Sequence, residues 1–289
     1  MGWKPDIAVS TACFDGYPLR RALETLSAVP DTSIELAYIA GYVENFSEEL
    51  FSPDNAQAIR TLLTDTGSVC SAVSAHTDLA SEGGLDRGIR RIQFAGAIGA
   101  SRVVSNAAVV EHRDAFYRNL ETLVREAERA GVCLLLENPG DGKTNVIDDG
   151  AGAADFISRF SGSAVGINYD FGNVISHFRE RVRPEQDWLP LRSSVSYFHI
   201  KDVDVLADDA GTERTWFYPE IGTGMIDYAG ILPLIATDRV VPAMGVELPL
   251  RLRRSVSNPA GRTPHPLSED EILAIVQRSV RFVRRLIAG

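Results

Sequence analysis

The chain has 289 residues, 45% hydrophobic and 24% charged, which is ordinary globular composition with enough apolar material for a large core. Its net charge is −10 and its basic residues are scattered, which excludes the basic footprint a nucleic-acid binder needs against phosphates. No apolar run is long enough to cross a bilayer, and the start, Met1 to Asp6, has no signal-peptide apolar core. Cys13, Cys70 and Cys133 are far apart and form no CxxC pair. Buried thiols in a reducing compartment, the cytoplasm, are expected rather than disulfides.

In chain order, Asp6 to Thr11 reads as a first strand and Tyr17 to Ala28 as a helix ended by Pro30. Ser33 to Tyr38 is a second strand, with Glu35 inside it. Pro53 to Thr66 is a helix with Ser52 placed to cap it and Gly67 after its end. Val69 to Ala75 is a third strand, followed at once by His76. Helix Leu85 to Ile98 leads to strand Ser101 to Ser105 and then Asn106. The most regular helix is Arg113 to Ala130, closed by Gly131. Strand five, Val132 to Glu137, is five apolar residues without alternation, then an acid, then a Pro-Gly break. Such a run reads as a strand buried on both faces. A helical segment at Gly150 to Phe160 precedes strand Ala164 to Tyr169, which ends at Asp170. Pro184 to Arg192 is irregular, and strand Val195 to Phe198 ends at His199. Helix Tyr228 to Ala236, strand Val241 to Val246 ending at Glu247, and a long helix Leu267 to Ala288 complete the chain.

Eight strands alternate with helical segments, a pattern that demands parallel pairing with right-handed crossovers. Eight such units, without a G-x-G-x-x-G turn after the first strand, predict a single-domain (β/α)8 TIM barrel over residues 1–289. Two connections are unusually long. Asp202 to Asp227 contains Trp216-Phe217-Tyr218-Pro219, and Leu250 to Pro266 contains Arg251, Arg253 and Arg254. In a barrel they lie on the active face, as lids or as surface and subunit contacts.

Four successive strands end in Glu137, Asp170, His199 and Glu247, each after an apolar stretch. Singly, each has a bland role: a capping acid, or a core histidine. Together at one barrel mouth, three carboxylates repel one another and are costly to desolvate. A divalent cation resolves that conflict. Three oxygens and one imidazole suit Mn²⁺, Mg²⁺ or Co²⁺ better than structural Zn²⁺, which prefers sulfur and nitrogen; Mn²⁺ is the ion expected first, with Mg²⁺, Co²⁺ and Zn²⁺ as the alternatives.

The segments LLLEN (134–138), NYDFGN (168–173), FHIKD (198–202), EIGTGMIDY (220–228) and GVELP (245–249) resemble those of the xylose isomerase-like TIM barrels. The resemblance covers essentially the whole chain. It implies one divalent ion held by Glu137, Asp170, His199 and Glu247, with Glu137 and Glu247 also the proton-transfer pair. The implied activity is sugar or cyclitol isomerisation or epimerisation, through proton abstraction beside a carbonyl and a metal-stabilised enediolate. A lyase or dehydratase acting on a keto sugar or keto-cyclitol is the alternative, since the same enolate can expel a leaving group. A non-catalytic sugar-binding barrel is the third reading.

Three further residues are expected at the substrate. His76 would face the pocket, to bind a hydroxyl or carry a proton. Asn173 stands where many relatives have His; it can bond a hydroxyl but carries no proton. Lys201 would contact substrate oxygens or a carboxylate, or else pair with Asp202 or Asp204. Gly142 and Lys143 fall where the ketose 3-epimerases have an extra acid. Asn106 and Asn173 replace histidines that an endonuclease branch would need, so nucleic acid is excluded a second time. The partner expected is a small sugar or polyol, without a membrane, and a homo-oligomer stays open.

Overall fold

Three glycines set the rhythm of the first half. Gly67, Gly99 and Gly131 each stop a helix in the left-handed region, at φ of 65, 86 and 66°, and return their N–H to its last turn. They end α2 (Pro53–Thr66), α3 (Gly84–Ile98) and α4 (Arg113–Ala130), and each is followed by a strand. These strands are β3 (Cys70–Ser74), β4 (Arg102–Asn106) and β5 (Cys133–Glu137). Helix α2 starts as read from sequence, with Ser52 accepting from Asn55 N and Pro53 in the first turn. The computed structural model describes residues 4–44, 46–160, 162–207, 213–239 and 243–288.

The remaining barrel strands are β1 (Asp6–Ser10), β2 (Ser33–Ala37), β6 (Val165–Asp170), β7 (Tyr197–Ile200) and β10 (Ala243–Val246). The eight close into a parallel barrel in the order β1-β10-β7-β6-β5-β4-β3-β2. Around it run α1 (Leu19–Leu26), α5 (Gly150–Ile157), α6 (Phe171–His177), α7 (Pro184–Asp187), α8 (Tyr228–Asp238) and α9 (Glu269–Ala288) with the three helices above. The predicted (β/α)8 TIM barrel is the observed fold. No helix among the described residues is long and apolar enough to cross a membrane.

Both faces of the strands are buried, and period two divides them. Leu134 and Leu136 join the large outer core with the helices, while Leu135 joins Ala72, Val104, Tyr197 and Ala243 in a small cluster inside the barrel. Inward parity continues upward through Glu137 on β5, His199 and Lys201 after Tyr197, and Glu247 after Ala243 and Gly245. A small apolar cluster therefore lies beneath an ionic mouth.

Several boundaries differ from the sequence reading. Strand β7 takes in His199 and Ile200, because Phe198 to Ile200 register with Met244 to Val246 of β10. Val241 and Pro242, where the eighth strand was expected to begin, lie outside the described residues, as do Met1 to Trp3 and residues 208–212 of the first long connection. Helix α6 was not foreseen; the Asp170 side chain caps it by accepting from Asn173 N.

The two long connections are not irregular. They supply β8 (Asp204–Ala207), β9 (Arg214–Phe217), β11 (Leu252–Ser255) and β12 (Gly261–Arg262), an antiparallel sheet in the order β12-β11-β9-β8. Arg254 pairs in register with Trp216 across that sheet. Neither connection can form it alone, which is why each looks like a loop when taken separately.

Candidate active site

The motifs read from the sequence hold one another in place. In LLLEN and NYDFGN, Asn138 clamps the end of β6, accepting from Asp170 N at 2.8 Å and donating to Asp170 O at 3.0 Å. In FHIKD, Asp202 accepts backbone N–H groups from Val203, Gly222, Gly224 and Ile226. The 222–226 turn is thereby wrapped around one buried carboxylate. Gly222 has φ +88°, and a Cβ at Gly224 would strike the Asp202 carboxylate, so both glycines of G-T-G are required there. Tyr228 closes the same corner, its hydroxyl bonding both N and O of Lys201.

On this frame the four strand-end residues converge. His199 Nδ1 lies 2.6 Å from Glu137 Oε1, 3.8 Å from Asp170 Oδ2 and 3.8 Å from Glu247 Oε2. All four residues are buried. His76 Nε2 is 3.5 Å from Glu137 Oε2, and Asn173 Nδ2 donates to the same oxygen at 3.1 Å. Asn168 Nδ2 donates to Glu137 Oε1 at 2.6 Å. Lys201 does not pair with Asp202 or Asp204. Its ammonium lies 2.5 Å from Asp170 Oδ2 and 2.6 Å from Glu247 Oε2. Period two explains this, because Asp202 points to the opposite side of the strand from Lys201. All seven residues singled out in the sequence thus meet at one mouth. Lys143 is on the exposed rim, 4.0 Å from Asp141.

Glu35 was given no role from sequence and proves central. It is wholly buried, and its Oε2 takes His199 Nε2 at 3.0 Å and Tyr197 OH at 2.9 Å. Ser74 Oγ donates to Oε1 at 2.9 Å. With Nε2 held by Glu35, the free nitrogen of His199 is Nδ1, the one facing the three strand-end acids. Gly245 makes room for this arrangement; a Cβ there would come 2.8 Å from both Glu35 Oε2 and Tyr197 OH.

The electrostatics follow from burial and neighbours. Burial pushes the carboxyls of Glu137 and Glu247 above the usual range, against the opposing pull of His199 and Lys201. Burial acts the same way on Asp170, but Lys201 and then His199 outweigh it and hold that carboxyl at about 2. His199 and Lys201 are desolvated, yet the surrounding acids raise both well above their ordinary values. His76 is pushed down to about 4, mainly by burial, so it is a neutral hydrogen-bonding group at pH 7.

The donor set fits a divalent ion. His199 Nδ1 and Asp170 Oδ2 are buried and make no well-directed hydrogen bond, although charged neighbours are close. Two trios, Glu137 with Asp170 and His199, and Glu35 with His199 and Glu247, keep donor atoms within 4.8 Å of one another. In the second trio Glu35 contacts the far nitrogen of His199, so it orients the ring while Glu247 shares the Nδ1 side. Oxygen-rich sites with one imidazole suit Mn²⁺, Mg²⁺ or Co²⁺.

No curated protein matches the sequence. Solved structures share the fold at low identity. The 3-keto-D-glucoside 4-epimerase of E. coli, in apo form, is 16% identical with a TM-score of 0.66, over 98% of this chain and 100% of that one. A xylose isomerase-like TIM barrel protein of Mycobacterium smegmatis, in complex with magnesium, is 19% identical with a TM-score of 0.63, over 96% and 98%. The probable 3-DHS dehydratase of Bacillus anthracis, involved in petrobactin synthesis, is 11% identical with a TM-score of 0.65, over 96% and 98%. The family model for the xylose isomerase-like TIM barrel matches residues 32–275, and the chain belongs to that family.

Proposed function

We propose that this protein is a divalent-metal-dependent isomerase or epimerase of a sugar or cyclitol, working by proton transfer at the carbon beside a carbonyl. The observation that carries this reading is the approach of Glu137 and Glu247, from β5 and the end of β10, to the same atom, His199 Nδ1. Glu137, Asp170, His199 and Glu247 would hold the ion, with Mn²⁺ as the first candidate. When bound, it supplies positive charge beside the carbonyl oxygen, where negative charge builds up as the proton leaves.

The chain's own residues do the rest. One of Glu137 and Glu247 removes the proton and the other returns one, each step worth roughly 10²–10⁴-fold. Both carboxyls are raised by burial, which brings them nearer the neutral range where acid–base work is efficient. Asn173 and Asn168 fix the Glu137 carboxylate through both oxygens. His76, neutral beside Glu137, bonds a substrate hydroxyl. Three free cysteines accord with a cytoplasmic protein.

One observation favours a lyase as the second reading. The Lys201 ammonium sits 2.6 Å from Glu247 Oε2, where it can give a proton to a departing hydroxide.

The test is solvent exchange. Mn²⁺-loaded protein in D₂O should label the carbon beside the carbonyl in at least one member of a broad keto-sugar and keto-cyclitol panel. Glu137→Gln and Glu247→Gln should each slow this by roughly 10²–10⁴-fold. An unchanged substrate mass apart from deuterium means epimerisation; loss of water means the lyase. No exchange across the panel, with metal confirmed bound, sinks the proposal.

A further inference from the structure

The mouth opens into a cavity of about 410 Å³ with Glu137, His76 and Asn173 at its base and Arg254 of β11 in its wall. Arg254 is buried. Its donors go only to neutral acceptors: Nε to Pro259 O at 3.2 Å, Nη1 to Gly140 O at 2.7 Å and Ser176 Oγ at 3.2 Å, and Nη2 to Tyr42 OH at 3.2 Å. A guanidinium has five N–H groups, so one on Nη2 has no acceptor among the described residues. No carboxylate lies within ion-pair distance of it among those residues. The other two buried arginines differ. Arg91 is paired with Glu48 at 2.9 Å, and Arg251 with Glu44 at 2.8 Å.

A buried cation without a direct counter-ion is costly; Asp141 and Asp170 act on Arg254 only from beyond ion-pair distance, which leaves room for a ligand carboxylate to complete it. This cation is also placed with care. A Cβ on Gly140 would collide with Arg254 Nη1 and with Asn173 Oδ1, so the glycine after Pro139 lets the guanidinium sit beside the asparagine that touches Glu137. The same cavity is lined by three residues carrying buried polar atoms without partners, His76 Nδ1, Asn145 Oδ1 and Asn173 Oδ1. These are hydroxyl partners.

From this we infer that the substrate is a polyhydroxy carboxylate, a keto acid of the sugar series, whose carboxylate binds the free Nη2–H of Arg254 and the hydroxyl of Tyr42. Its hydroxyls meet His76, Asn145 and Asn173, and its far end reaches Glu137. The inference rests on the proton-transfer reading only for which end reacts; the anion clamp stands on Arg254 and Tyr42. A carboxylate suits two donors, whereas a phosphate dianion calls for more.

The test compares ligands differing only at one carbon, D-gluconate against D-glucitol and D-galactonate against D-galactitol, titrated calorimetrically into Mn²⁺-loaded protein. The acid should bind roughly 10–100-fold tighter, the range of a charge-assisted hydrogen bond. That acid-to-polyol ratio should fall at least tenfold in Arg254→Gln, and to a lesser extent in Tyr42→Phe, which keeps the guanidinium and the packing. Equal binding of acid and polyol, or a preference that survives both variants, overturns the inference, as does tighter binding of D-glucitol 6-phosphate than of gluconate. The failures are distinguishable. D₂O exchange on D-fructose equal to that on D-fructuronate removes the anion clamp and leaves proton transfer standing. An Arg254-dependent acid preference with no exchange on either does the reverse.

Discussion

Replacing Glu35 by Gln keeps the shape of the barrel interior and removes one charge. The wild-type carboxylate accepts from His199 Nε2, Tyr197 OH and Ser74 Oγ with no solvent contact. Burial alone would raise its pKa, but the His199 cation, then hydrogen bonds from His199, Ser74 and Tyr197, bring it below the usual range. A Gln in its place offers one acceptor oxygen and one NH₂. If the oxygen faces His199, the ring keeps its tautomer with a neutral partner. If the NH₂ does, Nε2 must accept, and the proton moves to Nδ1, the nitrogen proposed to hold the ion. Charged hydrogen bonds contribute about 1.5–3 kcal/mol and neutral ones about 0.5–1.5, so the first outcome loses roughly 1–2 kcal/mol. The second removes a ligand.

We therefore predict that Glu35→Gln weakens Mn²⁺ binding roughly 10–100-fold, the usual size of an orienting-partner loss. Glu35→Leu should also lower stability by about 3–5 kcal/mol, since it strands Tyr197 OH and His199 in the barrel. Calorimetric Mn²⁺ titration at pH 7.5 reads the first effect. Thermal melting in a chelator reads the second without any metal contribution. Mn²⁺ affinity within threefold of wild type in Glu35→Gln, alongside its loss in His199→Gln, would refute the claim that Glu35 sets the imidazole.

Two further outcomes follow from packing and burial. Gly245→Ala drives a methyl against Glu35 and Tyr197, and overpacking of this kind costs about 1–3 kcal/mol, so it should lower both the melting temperature and Mn²⁺ affinity. A Gly245→Ala protein that melts and binds as wild type would show that the interior has slack. Burial pushes the Cys13 and Cys70 thiols from 9.0 up to about 12, so folding favours the neutral form while the unfolded chain ionises first. Their contribution is complete below pH 9 and is lost as pH rises from 9 to 12. Urea melts across that range should fall less steeply in a Cys13→Ala, Cys70→Ala double variant. In native protein at pH 8, iodoacetamide should label half-buried Cys133 before either; labelling of Cys13 or Cys70 at the Cys133 rate would contradict the burial argument.

The strand-end residues were legible because a charge after an apolar run is conspicuous, and the barrel topology then forces Glu137, Asp170, His199 and Glu247 to one edge. What the run itself hides is parity. With both faces apolar, VSYFHIKD gives no hint that His199 and Lys201 face inward and Asp202 outward. Counting by two from the small interior residues would have separated them, and would have shown that Lys201 meets acids from other strands. Glu35 gave a weaker signal, since its partner His199 is 164 residues away and nothing near it in sequence marks a polar contact. Only the closed register of the barrel brings them together.

Arg254 is harder still, and for a physical reason. Strands β8, β9 and β11 have four residues each, too few for alternation to declare itself, and the two connections join only where β9 pairs with β11. Tyr218 follows β9 in the first connection and Arg254 lies in the second, and the guanidinium carbon comes 6.0 Å from the tyrosine ring only because the two segments pair. The barrel strands end in the groups proposed to carry the reaction, and those charges stand out against apolar runs. The mouth sheet carries Arg254, the group inferred to select the substrate, on a segment whose structure is fixed by contacts distant in sequence. The residues proposed for the reaction are therefore readable earlier than the one inferred for specificity, and the same asymmetry should hold wherever long βα connections fold onto each other rather than onto the barrel.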